Sequence, residues 1–316
     1  MPEPSAVRVV FMGSPDFAVP SLRALVAAGY NVVAAVSQPD RPAGRGGRLH
    51  VPEVKQAAAE LGIETFQPET FKDGGNRERL ASFAGDLFVV AAYGKILPNA
   101  VLSMPRFGCI NVHGSLLPRW RGPSPISAAI LAGDAETGIS IMKLEARMDA
   151  GPVLMRRAIP IGGNDTTGDL ERSLSRLGAE LLVESLPGWL AATLLAVPQD
   201  EASATYCALL RKEDGQLAAM MTAVEAGRAV RAYNPYPAAS VEYRGERLAI
   251  WSAHVVPNNN AARPGTLEVV AKQPAIVFTD GTLVLDEVQR PGGRRLTGQQ
   301  FLNGERGNLP PAVGLL

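Results

Sequence analysis

From Val7 to Ile159 the apolar positions fall in short runs separated by stretches with helical spacing. Val7 to Met12 is an apolar run stopped by Gly13, Ser14, Pro15 and Asp16, and from Phe17 to Ala28 the residues Leu22, Leu25 and Val26 share one side of a helix. The pattern predicts strand, turn, helix. It then repeats as strand Val32 to Ser37, helices Pro52 to Leu61 and Arg77 to Ala84, strands Leu87 to Ala91 and Cys109 to His113, and helix Pro125 to Ala132. Strands apolar on both faces that alternate with helices predict an α/β fold, a Rossmann-like and mostly parallel sheet covered by helices. Such a sheet presents its ligand site at the carboxyl ends of its strands.

Strands Gly138 to Lys143 and Val153 to Ile159 flank a turn at Met148, Asp149, Ala150 and Gly151. Thr166 and Asp169 form a capping box that opens a helix with Leu170, Leu174, Leu177 and Leu181 on one face, and Pro187 is expected to kink or stop it. After Leu209 the texture changes. A helix is predicted over Gln216 to Tyr233, followed by short strands around Val241, Ala249 to His254, Thr266 to Val270, Ile276 to Thr279 and Thr282 to Val288, punctuated by Gly and Pro. Closely spaced short strands point to a small OB-like β-barrel domain. The expected organisation is a first domain over 1–189, a linker over 190–208 and a second domain over 209–316.

Composition narrows the function. The 316 residues are 46% apolar and 20% charged, with Lys plus Arg and Asp plus Glu both at 31, so any polyanion site has to be a local cluster. The two cysteines, Cys109 and Cys207, are too few for a disulfide framework or a thiolate cage; no metal is expected, and a reducing cytoplasm fits. The first residues lack a basic leader segment. The longest apolar stretch, Leu181 to Val197, is broken by Glu184, Pro187 and Gly188, so no membrane association is expected.

Along Cys109 to His113 the side chains alternate, which puts Asn111 and His113 on one face at the carboxyl end of the strand. Taken alone, such a pair is more often a hydrogen-bonded structural pair than a catalytic one. The continuation Gly114-Ser115-Leu116-Leu117-Pro118-Arg119-Trp120-Arg121-Gly122 changes that, because Gly108 to Gly122 resembles the signature of the folate-dependent formyltransferases. Four further segments match in order: Gly13 to Ala18, Gln38 to Gly46, Ala92 to Pro98 and Arg231 to Pro237. The resemblance covers essentially the whole chain and is strongest to the tRNA-directed members, the methionyl-tRNA formyltransferases.

The resemblance implies transfer of the formyl group of 10-formyltetrahydrofolate to an amine. That chemistry needs a donor aimed at a tetrahedral oxyanion, a role for Asn111, and a group that moves the proton of the attacking amine, a role for His113. Asp149 is implied as the carboxylate beside the ring; on turn chemistry alone it reads as an ordinary Asx-turn residue. Ser115, Leu116, Leu117 and Pro118, with Tyr93 and Gly94, are the candidates for the folate slot. His50 and His254 lack such a context and read as structural, and no nucleophile elbow or phosphate-binding glycine motif is present.

For a tRNA acceptor the resemblance points to the glycine-rich loop Arg41 to Arg48, with Arg41, Arg45 and Arg48 as phosphate partners, although its composition alone fits a solvated loop equally well. Residues 209–316 hold 12 Lys and Arg against 10 Asp and Glu, only mildly basic, and Arg228 with Arg231, and Arg290 with Arg294 and Arg295, are the clusters to test. The expected partners are methionyl-tRNA and the folate co-substrate, with the protein as a monomer. Alternative acceptors are a nucleotide sugar or glycinamide ribonucleotide, and a different class of reading is a non-catalytic RNA-binding protein. Two departures from the family stand out. Lys212-Glu213-Asp214 is not followed by an aromatic residue, and Ser127 stands where the family often has Gln.

Overall fold

In the computed structural model, residues 3–43, 48–257, 262–306 and 308–316 are described. Its contacts divide the chain into two compact units. The first comprises 1–125, 136–160 and 171–208, and the second 126–135, 161–170 and 209–316. The segment 190–208, expected as a linker, therefore packs almost entirely with the first unit.

Chain order in the first unit begins with β1 (Arg8–Gly13), α1 (Val19–Ala27) and β2 (Asn31–Val36), then the short β3 (Arg41–Ala43) and β4 (Arg48–His50). Next come α2 (Glu53–Glu60), β5 (Thr65–Phe66), α3 (Gly74–Ser82), β6 (Leu87–Ala91), α4 (Asn99–Leu102) and β7 (Cys109–His113). After α5 (Pro125–Ala132), which from Ile126 on belongs to the second unit, β8 (Glu136–Lys143) and β9 (Val153–Pro160) lead to α6 (Thr167–Leu190), whose first turn also belongs to the second unit. The main sheet runs β5-β2-β1-β6-β7-β8-β9, parallel as far as β7 and antiparallel beyond it.

The strands β1, β6 and β7 are buried on both faces, as expected for a covered parallel sheet. On one face Val10, Met12, Phe88, Val90 and Cys109 form a core with Phe71, Leu80 and Tyr93. Asn111 and His113 follow Cys109 on that same face, where apolar core gives way to polar groups. On the other face α6 lies against β7, and a Cβ on Gly178 would come within 2.7 Å of Val112. The helix opens with the expected box, Thr166 N–H to Asp169 Oδ2 at 3.0 Å and Asp169 N–H to Thr166 Oγ1 at 3.2 Å. It runs on past Pro187 to Leu190, so of the expected kink or stop the stop does not occur.

The second unit is built around α7 (Ala223–Ala232) and the strands β10 (Ala239–Tyr243), β11 (Glu246–Pro257), β12 (Leu267–Val270), β13 (Gln273–Val277), β14 (Gly281–Gln289) and β15 (Arg295–Thr297), followed by α8 (Gly298–Glu305). Helix α7 is shorter than the predicted Gln216 to Tyr233. Gln216 forms a bridge to Ser240, and a capping box between Thr222 and Glu225 fixes the start of the helix. The antiparallel order is β10-β11-β14-β13-β12, with β15 beside β14. The free edges of β12 and β10 are joined by one segment, because Ala312 bridges Thr266 and Gly314 bridges Glu242. The sheet thereby closes on itself as a small barrel.

Candidate active site

Asn111 and His113 stand at the carboxyl end of β7, 8% and 6% exposed. The neighbouring strand β8 places Ser140 opposite His113. Ser140 is fully buried and pins the following loop twice: its hydroxyl donates to Ser115 O at 2.7 Å and accepts the Leu117 N–H at 3.0 Å. Leu117 then packs with Met142 and Val153 in a small cluster of its own. The Ser115 hydroxyl donates to Arg119 O at 2.6 Å, which bends the chain back toward His113.

The imidazole of His113 sits between two groups from distant turns. Its Nε2 is 3.0 Å from Trp120 O, and its Nδ1 is 3.8 Å from Asp149 Oδ2. A carbonyl only accepts, so Nε2 carries a hydrogen in this contact and Nδ1 faces the carboxylate. The 3.8 Å separation is too long for a hydrogen bond and short enough for strong attraction once Nδ1 gains a proton. Asp149 Oδ2 accepts the Gly122 N–H at 2.9 Å, which fixes the carboxylate independently of the histidine. Gly122 has φ of +120°, and a Cβ there would lie 2.3 Å from Cys207 O, so only glycine fits the turn that brings this donor to Asp149.

The geometry thus brings together an amide, an imidazole and a carboxylate at the carboxyl end of the central strands. Matches to known families fit that arrangement. Residues 7–186 match the formyl transferase family and residues 209–306 match the formyl transferase C-terminal domain. The methionyl-tRNA formyltransferase of Methylococcus capsulatus is 48% identical over 94% of this chain and 96% of that protein. That of Dechloromonas aromatica is 46% identical over 98% of each. The chain belongs to the methionyl-tRNA formyltransferase family. Among solved structures it is similar to HypX from Aquifex aeolicus in complex with tetrahydrofolic acid, with a TM-score of 0.62 and 16% identity, covering 94% of this chain and 47% of that one. The chain therefore spans about half the length of HypX. An N-formyltransferase from Helicobacter canadensis gives a TM-score of 0.64 at 16% identity, over 90% and 99% of the two chains. At these identities the likeness is one of fold.

Within this formyltransferase fold the other candidates separate by exposure. Gly94 is exposed and Leu116 and Pro118 are half-buried, whereas Ser115, Leu117 and Tyr93 are buried and shape the loops from behind. Burial pushes the Tyr93 hydroxyl well above its ordinary pKa. Gln38 donates to Tyr93 O at 3.0 Å, tying the Ala92 to Pro98 loop to the end of β2. A separate cleft lined by Leu102, Phe107, Trp189 and Leu195 opens at the amino end of β7, away from His113.

The described ends of the basic loop pair with each other. β3 and β4 pair antiparallel, with Arg41 opposite His50 and Ala43 opposite Arg48, so the glycine-rich loop springs from a hairpin base. Arg41 reaches Glu69 at 3.0 Å with both side chains exposed. Arg45 lies outside the described residues, and only the backbone of Arg48 is described. Beside the hairpin, hydrogen bonds from Lys55 and Gln67 hold the Asp40 carboxyl below its usual range.

In the second unit, Arg228 and Arg231 lie on α7 as expected from their spacing, and both donate to backbone carbonyls, Arg228 to Ala132 at 3.5 Å and Arg231 to Asp165 at 3.0 Å. Burial of Arg231 lowers the pKa of its guanidinium. Arg290 pairs with Glu305 and lies over the rings of Tyr243 and Phe301, and Arg295 lies over Trp251 while pairing with Glu287 at 3.4 Å. Both have internal partners that the sequence did not reveal. His254 is paired with Asp286 at 2.9 Å and His50 with Glu53 at 3.5 Å.

One group near the site carries no sequence periodicity that would have singled it out. Arg121 is a fully buried arginine whose Nη atoms donate to both carboxylate oxygens of Glu201, at 2.9 and 3.1 Å, and whose Nη1 also donates to Tyr206 Oη at 3.1 Å. Its Nε donates to Gln199 Oε1 at 3.1 Å. The hydrogen bonds from Arg121 and Arg147 hold the Glu201 carboxyl down at about 2. The signal available in the sequence was the polar run Gln199-Asp200-Glu201 inside a stretch expected to be plain connection.

Proposed function

We propose that the protein transfers the formyl group of 10-formyltetrahydrofolate to the amino group of methionyl-tRNA in the cytoplasm, supplying the formylated initiator for translation. The observation that carries this is the likeness of both parts of the chain to methionyl-tRNA formyltransferases at 44–48% identity over 94% or more of its length. Likeness to an N-formyltransferase from Helicobacter canadensis, in complex with folinic acid and dTDP-3-aminofucose, stands at 16% identity and gives no comparable support to a sugar acceptor.

Residues 1–189 carry the chemistry in this scheme, with 190–208 attached to them, and 209–316 bind tRNA. The amine nitrogen attacks the formyl carbon, the carbonyl oxygen becomes an oxyanion, and Asn111 donates a hydrogen bond to it. His113 takes the proton that the attacking nitrogen must lose, and the Asp149 carboxylate stabilises the imidazolium that forms. Collapse of the intermediate breaks the bond to the folate nitrogen, which leaves as tetrahydrofolate once protonated. Leu116, Pro118 and the backbone at Gly94 face the folate, backed by Ser115, Leu117 and Tyr93. Arg41, Arg45, Arg48, Arg228 and Arg231 contact the tRNA backbone through phosphate pairing.

The test is a formylation assay with charged initiator tRNA, a nucleotide-linked amino sugar and glycinamide ribonucleotide offered in parallel. Transfer to methionyl-tRNA alone is expected, and Asn111→Ala and His113→Ala are each expected to lose about 100-fold or more of the rate while remaining folded. Transfer to a small amine and none to methionyl-tRNA would overturn the assignment.

A further inference from the structure

His113 lies between two residues with left-handed backbones, Trp120 at φ +59° and Asp149 at φ +47°. A large side chain adopts this conformation only where its surroundings over-determine it, and such positions cluster where geometry serves function. Both residues here are held by the same short stretch, Gln199 to Cys207. Thr205 Oγ1 accepts the Trp120 N–H at 2.9 Å, and around it the backbones of 118–121 and 205–207 are stitched together: Thr205 N–H to Pro118 O at 3.2 Å, Arg121 N–H to Thr205 O at 2.9 Å and Cys207 N–H to Arg121 O at 2.8 Å. On the other side, Gln199 Nε2 donates to Asp149 O and to Gly151 O, both at 2.7 Å. Gln199 Oε1 accepts from the Arg121 guanidinium and Thr205 O from the Arg121 backbone N–H, so the two attachments meet at one buried residue.

There is little slack on the Asp149 side. A Cβ at Gly151 would lie 1.9 Å from Lys143 O, which seats the turn directly on the end of β8. Trp120 O in turn requires a hydrogen on His113 Nε2, so the position of that carbonyl decides which ring nitrogen faces Asp149.

We propose that residues 199–207 form a brace that positions His113 for proton transfer, with Thr205 setting the ring tautomer through Trp120 and Gln199 setting the carboxylate through the Asp149 backbone. Neither side chain touches the reacting atoms; both are positioning residues. The proposal rests on the assignment of His113 and Asp149 as the proton-moving pair.

The experiment compares Gln199→Met and Thr205→Val, which keep side-chain volume and remove the polar contacts, with Thr205→Ser, which restores the hydroxyl, and with His113→Ala. kcat and KM for both substrates are measured across pH, and the His113 ring nitrogens are followed by 15N NMR on the full-length protein. A kcat loss of about tenfold to a hundredfold is expected for Gln199→Met and Thr205→Val, the size that follows from an ångström-scale misplacement, with KM values within about twofold. The pH profile of kcat should move in both. In Thr205→Val the ring nitrogens should lose the wild-type pattern with hydrogen on Nε2, and Thr205→Ser should recover most of the rate. The two attachments are tested separately, so one variant that fails to fold leaves the other decisive. Normal kcat and ring pattern in both variants, beside an inactive His113→Ala, would overturn the brace and leave the proposed function standing. Slower turnover with an unchanged pH profile and unchanged ring pattern would also overturn it, because the brace would then be only structural. A fully active His113→Ala would sink the assignment on which the brace rests.

Discussion

Replacing Gly122 by alanine tests whether the turn after the Ser115 loop is as closely fitted as its contacts imply. The added Cβ would sit 2.3 Å from Cys207 O, where ordinary contact begins at 3.4 Å, so one backbone must retreat by about 1.1 Å. A backbone with φ of +120° carries a further penalty for any side chain. Strain of roughly 1–3 kcal/mol and overpacking of roughly 1–3 kcal/mol together give about 2–6 kcal/mol. That is a large part of the ~5–15 kcal/mol that keeps a domain folded. At roughly 2–4 °C per kcal/mol, the melting point should fall by about 5–20 °C. Turnover should fall as well, because the Gly122 N–H that holds Asp149 Oδ2 at 2.9 Å moves with the turn, and a shift of about 1 Å in a reacting group costs on the order of 100-fold. Thermal unfolding and single-turnover formyl transfer well below the melting point measure the two effects separately. Gly163→Ala is the control, since nothing lies within 4 Å of the added carbon. If Gly122→Ala melted within about 2 °C of the parent and transferred formyl normally, the steric reasoning would be wrong.

Asp149→Asn should keep the fold, because asparagine tolerates the left-handed backbone and can still accept the Gly122 N–H, while the rate drops by about 100-fold or more and its pH dependence changes; a normal rate and profile would make Asp149 a turn residue only. Replacing Arg41, Arg45 and Arg48 together with alanine should weaken methionyl-tRNA binding and flatten its salt dependence by roughly one counterion per lost contact, with folate affinity unaffected; unchanged binding at moderate salt would reduce the hairpin to plain surface. The Glu201 carboxyl is held at about 2 in the folded protein, below the ~4.3 of an unfolded chain, so its contribution to stability is complete above about pH 5 and is lost as pH falls toward 2. The difference in urea midpoint between the parent and Glu201→Gln should therefore be largest near pH 6 and shrink by pH 3, and an equal gap at both would remove Glu201 from the account of acid stability.

The elements that sequence periodicity reached are those whose neighbours lie close along the chain. β7 spans Cys109 to His113 as its alternation predicts, and the Thr166–Asp169 box begins α6 where expected. Two signals of the same kind went unread: Thr222 with Glu225 marks the true start of α7, and Thr297 with Gln300 caps α8, a helix not foreseen at all. Asn111 and His113 could be paired from strand geometry, whereas Asp149 entered only through the family resemblance, since nothing in a Met-Asp-Ala-Gly turn specifies a partner ring. The Gln199 contacts were beyond local reading in principle. They join residues 78 positions apart at Arg121 and 50 apart at Asp149, and tertiary packing alone creates them. The same holds for Arg290, whose exposed-looking run of arginines gave no hint of Glu305 or of two aromatic rings beneath it.

The segment 311–316 also bears on how the second unit is made in the cell. It takes the Leu267 N–H at Pro311 O, gives the Val313 N–H to Gly265 O, exchanges both hydrogen bonds between Gly314 and Glu242, and ties Leu316 to Leu217 and Ala219. Until these six residues arrive, Glu242 on β10 and Leu267 at the start of β12 lack these backbone partners, and strand edges of that kind are the template on which chains pair edge to edge. A ribosome that has already released β10 to β14 thus holds a sheet with two sticky margins, and synthesis of one short stretch sheathes both at once. Proteolytic trimming of that stretch would reopen the pair together, turning a closed barrel into a substrate for aggregation or for chaperones.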